Sequence, residues 1–324
     1  MSLIIENFES AKEISAAGSA VIRTLLYFDI FGHPLTAQEI CRLIQVKEQG
    51  DDETLPAINE LEKGGLICQQ DGFYYLNDNV SGIEKRMQGE ARAAKSLRTA
   101  KKYSRLIAGF PFVRAIALSG SLSKNYMDPN SDIDYFIITA PGRMWLARTL
   151  LILFKKIFLL NSRKYFCVNY FLSEDSLEVP DRNIFTATEI AFLLPTYNYA
   201  LYGKFRKANA WSGNFLPHFP LRGKSDLITE DKKRFKTFLE KILSGKAGEW
   251  LDTYLFRLTL KYWKKKFSHF DEATFDFRLR SRKNVSKHHP LGFQEKVLTG
   301  YAEKMTAFSR MHDISLHEED PLYA

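Results

Sequence analysis

The chain has 324 residues, 45% hydrophobic and 26% charged, with 18 Gly and 11 Pro. That balance excludes a disordered, collagen-like or disulfide-scaffold chain, and at roughly 150 residues per domain the length predicts about two domains, or three if one is small. The formal charge of +8 hides an asymmetry: residues 1–81 carry 5 Lys and Arg against 13 Asp and Glu, whereas residues 82–324 carry 41 against 25.

Three well-separated cysteines, Cys41, Cys68 and Cys167, exclude a zinc ribbon or a disulfide framework and point to a reducing compartment. The first 20 residues mix acids with apolar residues and do not resemble a signal peptide, so a cytoplasmic protein is expected.

In chain order, Val21, Ile22, Leu25, Leu26 and Phe28 recur at helical spacing between Ala16 and Phe31, and Gly32-His33-Pro34 stops that helix. Thr36 with Glu39 three residues on reads as a capping box for a second helix over 37–46. A third runs from Asp52 to Lys63 and ends at Gly64-Gly65. Leu66–Cys68 and Phe73–Leu76, joined through Asp71-Gly72, read as a hairpin. Three helices and a hairpin predict an acidic winged-helix-like module over residues 1–81. DNA binding by it is not expected, because phosphate contacts dominate affinity for DNA and Glu53, Glu60 and Glu62 with only Lys63 would repel them. Docking onto the basic remainder of the chain, or onto a basic partner, fits the sign.

A long helix is expected over Gly82–Ala108, where residues 82–110 hold eight Lys or Arg and two Glu. Strands follow at Phe112–Leu118, Ile133–Thr139 and Lys164–Leu172, with an apolar helix over Arg143–Leu160 between the last two. Arg148, Lys155 and Lys156 interrupt that helix, which makes it a buried core helix and not a membrane span. The pattern predicts a small mixed-sheet domain over residues 82–180. Residues 181–324 read as a helical C-terminal region, with helices at Asn183–Leu194, Asn198–Ala208, Glu230–Ser244 and Thr253–Phe267 and a loose acidic tail. The fold class expected is α+β.

The chemistry concentrates in Ser119-Gly120-Ser121, ten residues, and then Asp132-Ile133-Asp134. Two carboxylates two apart on a strand leave the same face, and a divalent cation such as Mg²⁺ or Mn²⁺ is the natural reason to place them together. Gly120 lets the backbone approach an anion closely, Ser121 donates from amide and hydroxyl, and a helix opening there favours phosphate. Lys124 is a further phosphate contact or, equally, a solvated surface lysine.

Leu118-Ser119-Gly120-Ser121 followed by Asp132-Ile133-Asp134-Tyr135-Phe136 resembles the signature of the DNA polymerase beta-like nucleotidyltransferase superfamily, of the minimal type, over about residues 110–175. The resemblance implies Gly120 and Ser121 for phosphate positioning and Asp132 and Asp134 as ligands of Mg²⁺. It also implies transfer of a nucleoside monophosphate from a nucleoside triphosphate, ATP among the four, to an acceptor hydroxyl on a small molecule, a protein or an RNA. The family's third carboxylate falls at Asn169, a neutral group that cannot act as a base; Glu174 and Asp175 at the strand's end are substitutes, and a structure that left Glu174, Asp175 and Glu189 all remote would count against catalysis. A catalytically degenerate nucleotide-binding or regulatory protein is therefore the alternative.

Outside that stretch, His288-His289 lacks a clear third metal ligand, and Arg278, Arg280 and Arg282 alternate as a strand edge or a phosphate-contacting loop. The basic residues of 255–290, with Tyr254, Tyr262 and Trp263 beside them, fit a solvated face or an RNA contact.

Overall fold

A computed structural model describes residues 14–47, 50–76, 81–162, 164–223 and 234–316. Ser15 accepts a bond from the Gly18 amide and opens α1 (Ala16–Asp29). A two-residue strand, β1 (Leu35–Thr36), leads into α2 (Ala37–Leu43). Its capping box forms as the sequence predicts, with the Thr36 amide donating to Glu39 Oε2 at 2.9 Å and the Glu39 amide to Thr36 Oγ1 at 3.3 Å. After α3 (Asp51–Lys63), β2 (Cys68–Gln70) and β3 (Phe73–Tyr75) are joined by Asp71 and Gly72 at φ of 53° and 81°, the left-handed pair that a tight hairpin needs. The strand order is β1-β3-β2, all antiparallel.

Then come α4 (Ser81–Ala108), β4 (Val113–Ser119), α5 (Gly120–Ser123), β5 (Asp134–Thr139), α6 (Met144–Phe158), β6 (Cys167–Ser173), α7 (Ile184–Phe192), β7 (Leu194–Tyr197) and α8 (Tyr199–Ala208). The last set is α9 (Arg234–Leu243), α10 (Lys246–Lys266), α11 (Glu272–Arg278), β8 (Ser281–Arg282), β9 (Val285–Lys287) and α12 (Phe293–His312). Among the described residues this is an α+β protein of twelve α-helices, with a three-stranded sheet and a six-stranded mixed sheet.

The large sheet runs β7-β4-β5-β6-β9-β8, antiparallel except for β5 against β6, which α6 connects. Its strands alternate between two buried faces. Ile116, Leu118, Tyr135, Ile137, Val168 and Phe171 pack with residues of α4, α6 and α10, while Ala115, Ala117, Phe136, Ile138 and Leu172 pack with α7 and α8. Burial on both faces explains why these strands read as continuous apolar runs.

Two sequence expectations change. The stretch after Pro180 is not purely helical: β7, β8 and β9 come from it and complete both edges of the sheet. These strands are two to four residues long, too short for period-two alternation to register in the sequence. Asp132 lies in the extended segment before β5 and not within the strand, which begins at Asp134.

The apolar 144–158 helix is a core helix, with Met144, Trp145, Ala147 and Leu151 fully buried and the Trp145 indole donating to Arg282 O at 2.9 Å. No helix among the described residues is long and apolar enough to cross a membrane.

The N-terminal elements share one apolar core with α7 and α12. Tyr27 meets Tyr301 edge-on at 5.5 Å, and Ile22, Leu25 and Leu26 pack in the same cluster as Ala187, Val297 and Phe308. Two ion pairs flank it, Arg86 of α4 with Glu39 of α2 at 2.7 Å and Lys304 of α12 with Asp29 at 2.5 Å. The N-terminal elements thus meet α7 and α12 mainly through apolar burial, with charge at the margins.

Candidate functional site

The site forms where β4 ends and β5 begins. Ser119 is paired with Asp134 across the antiparallel ladder, and Asp134 with Cys167 on the parallel neighbour β6. The Ser-Gly-Ser turn therefore stands beside the second acid of Asp132-Ile133-Asp134, although ten residues separate the two motifs in sequence. Ile133 is buried between the two acids and anchors the segment, its amide donating to Lys164 O and its carbonyl accepting from the Cys167 amide, each at 3.0 Å.

Gly120 is required twice over. Its φ is +65°, and a Cβ built there would stand 2.7 Å from Asp134 Oδ2, so a side chain would both strain the backbone and displace the carboxylate. The helix it opens, α5, is a single four-residue turn. The phosphate cradle predicted here thus rests on the backbone turn and the two serines and not on a helix field. Ser119 makes no capping bond with its side chain, and the Ser121 hydroxyl has only the weak acceptor Met127 Sδ at 3.7 Å.

Asp134 sits among neutral, negative and positive groups, with Asn169 and Cys167 nearest by hydrogen bond. Asn169 Nδ2 donates to its Oδ1 at 3.3 Å and to Cys167 Sγ at 2.9 Å. Burial pushes the Asp134 carboxyl up to about 6; the charges of Asp132 and Glu189 push the same way, against the Cys167 thiol and Lys124. Burial and the charge of Asp134 likewise push the Cys167 thiol far up, so it stays protonated.

Lys124 Nζ donates to Glu189 Oε1 at 2.6 Å and to Gly120 O at 3.3 Å, which ties α7 to the turn. Of the three carboxylates whose placement the sequence left open, Glu189 is thus part of the site. It is the one charged residue of α7, an otherwise apolar helix capped by Asn183. An acid in an apolar helix was the available signal. Glu174 and Asp175 take the opposite course: they follow Ser173, which pairs with Thr139 at the far end of β5, roughly 20 Å from Asp134 at the strand rise.

These groups line a cleft of about 1040 Å³ between the sheet, α7 and the N-terminal elements. Ser119, Gly120, Ser121, Lys124, Asp134, Asn169 and Glu189 all face it, whereas Asp132 stands outside the lining and reaches the cleft only through its charge on Asp134.

Farther along, Asp181 accepts from Arg280 Nη2 at 2.8 Å and Lys287 Nζ at 3.0 Å, and Lys287 also donates to Gln294 Oε1 at 2.9 Å. Burial pushes the Asp181 carboxyl up, but the bonds from Arg280 and Lys287 outweigh it and hold the carboxyl below the usual range. His289 lies in the same wall against the Tyr170 ring, and burial holds its imidazole down at about 4, neutral at pH 7. His288 points elsewhere and stacks on Trp263, so the two histidines do not converge. Arg278, Arg280 and Arg282 each pair with an acid, Glu295, Asp181 and Asp276, which removes them as free phosphate contacts.

Among the described residues, no group of three or more His, Cys, Asp or Glu stands at metal-binding spacing. A magnesium ion does not require one, since it commonly takes one or two carboxylates together with water and substrate phosphates. Two hard oxygen donors, of which Asp134 is raised first by burial and further by the charge of Asp132, fit such an ion. The chain matches no family model, no curated protein and no solved structure.

Proposed function

We propose that this chain is a Mg²⁺- or Mn²⁺-dependent nucleotidyltransferase similar to the DNA polymerase beta-like superfamily. In this reading residues 1–81 form a winged-helix-like module, residues 82–180 the nucleotidyltransferase domain with its leading basic helix, and residues 181–324 a region that closes the cleft. The observation that carries the reading is the contact of Gly120 with Asp134, which sets a backbone turn open to phosphate directly against a carboxylate held high by burial, with the charges of Asp132 and Glu189 adding to it.

Asp132 and Asp134 would hold the metal ion, which when bound supplies positive charge to the triphosphate oxygens. Ser119, Gly120 and Ser121 position the phosphates. The acceptor hydroxyl, on a small molecule, a protein or an RNA, attacks the α-phosphorus in line; a new phosphorus–oxygen bond forms as the bond to pyrophosphate breaks. Glu189 supplies the carboxylate missing at Asn169 and takes up the hydroxyl proton once Lys124 turns from it to phosphate.

A second reading, a degenerate nucleotide-binding or regulatory protein, draws on the Asn169 amide bonded to Asp134 where the family places an acid. Calorimetric titration of the four Mg-NTPs into wild type and Asp132→Asn, with pyrophosphate assayed in the same samples, separates the two. The transferase reading expects binding that the variant loses and slow pyrophosphate release by wild type. Binding without pyrophosphate, persisting with small-molecule, protein and RNA acceptors, favours the second reading in its nucleotide-binding form, and no binding of any NTP refutes the transferase and leaves a regulatory protein acting through protein-protein contacts.

A further inference from the structure

Arg222 follows α8 in the wall of the same cleft. Its Nη2 donates to Ser123 O at 3.0 Å, which ties the guanidinium to the turn carrying Gly120 and Ser121. The guanidinium lies over two aromatic rings, Phe192 at 5.6 Å and Phe219 at 5.7 Å. Its Nε is shielded from solvent and donates to nothing, and among the described residues no carboxylate pairs with it. Arg206 of α8 repeats the pattern, with a buried Nη1 that donates to nothing, and both cations act on Tyr202.

Of the cleft's other cations, Lys124 is paired with Glu189 and Lys287 with Asp181, while Arg42 and Lys85 are exposed to solvent. A guanidinium taken out of water without a counter-ion is costly, and the fork of N–H groups that Arg222 presents matches phosphate oxygens two at a time. Burial lowers the guanidinium's affinity for the proton, against the opposing effect of Tyr202.

We propose that Arg222 is a phosphate-binding residue that seats the terminal phosphates of a bound triphosphate beside the Ser119–Ser121 turn. This rests on the nucleotidyltransferase reading for the nucleotide, though not for the anion. A structural arginine would stabilise the free protein; an arginine kept for a ligand leaves the free protein no less stable when its charge is removed.

The test is calorimetry with inorganic tripolyphosphate, the four Mg-NTPs and the matching monophosphates on wild type, Arg222→Met, Arg222→Lys and Asp134→Asn, with thermal melts of each. Arg222→Met, which keeps the packing on the two phenylalanines, is expected to weaken tripolyphosphate and Mg-NTP binding roughly 10- to 100-fold, to leave monophosphate binding unchanged, and to melt no lower than wild type. If it fails to fold, Arg222→Lys carries the test, since it keeps the charge and loses the fork.

Tripolyphosphate binding by wild type that needs Arg222, without binding of any Mg-NTP, would sustain the anion site and sink the nucleotide reading. Mg-NTP binding lost in Asp134→Asn but unchanged in Arg222→Met would sink the Arg222 proposal and spare that reading. Failure of wild type to bind tripolyphosphate or any Mg-NTP overturns the proposal.

Discussion

Replacing Asp134 by Asn should stabilise the metal-free protein at neutral pH while abolishing metal-dependent binding. The carboxyl is raised from an ordinary 3.8 to about 6, and about two pKa units correspond to about 3 kcal/mol of differential interaction. The sign follows from linkage. A carboxyl raised in the folded state makes the native protein bind more protons than the unfolded chain between pH 4 and 6. Its charge therefore destabilises the fold above pH 6, and that penalty fades as pH falls toward 4. Asn carries no such charge, and its carbonyl can still accept the 3.3 Å bond from Asn169. The expected gain for Asp134→Asn over wild type is about 2–3 kcal/mol at pH 7.5 and close to zero at pH 4. Urea melts of both proteins in EDTA across that range measure it, and taking the difference cancels every other titrating group. Adding Mg²⁺ should narrow the gap by stabilising only the wild type. A gap that does not change with pH, or a variant less stable at pH 7.5, would refute the account of Asp134 as a buried, repelled carboxylate.

Three other outcomes are expected. Gly120→Ala, with φ at +65° and its new methyl 2.7 Å from Asp134 Oδ2, should lose about 1–2 kcal/mol in denaturant melts and lose Mg-NTP binding by calorimetry. Asp181→Asn leaves the buried Arg280 and Lys287 without their carboxylate and should cost about 3–5 kcal/mol. Because Asp181 is held below the usual range, its contribution is complete above pH 4 and is lost as pH falls through the lowered value, so acid titration followed by circular dichroism should show a shallower acid limb in the variant. Arg86 donates to both Glu39 oxygens at 2.7 and 2.8 Å, to Glu90 at 2.9 Å and to Pro34 O. Arg86→Met should cost about 3–5 kcal/mol, and adding Glu39→Gln should recover part of it, as a double-mutant cycle would report.

What was legible in the sequence was local. Thr36 with Glu39, Asp71 with Gly72 and the Ser-Gly-Ser turn each carry their conformation in a few adjacent residues, because caps and tight turns are set by short-range bonds and by φ. The α+β class and the long buried strands follow from apolar periodicity, and Asp132-Ile133-Asp134 announces itself by spacing alone. The tertiary structure decided the rest, since burial and long-range pairing depend on which distant segments meet. It brought Glu189 from α7 to Asp134 while carrying Glu174 and Asp175 to the opposite end of the sheet. Strands too short to show a period were recruited from the C-terminal half to close the sheet. Arg278, Arg280 and Arg282, alike in sequence, each found an acid, and Arg222, which no motif singles out, was placed beside the turn with no counter-ion among the described residues. A charge's meaning depends on its surroundings, and only the packed chain supplies them.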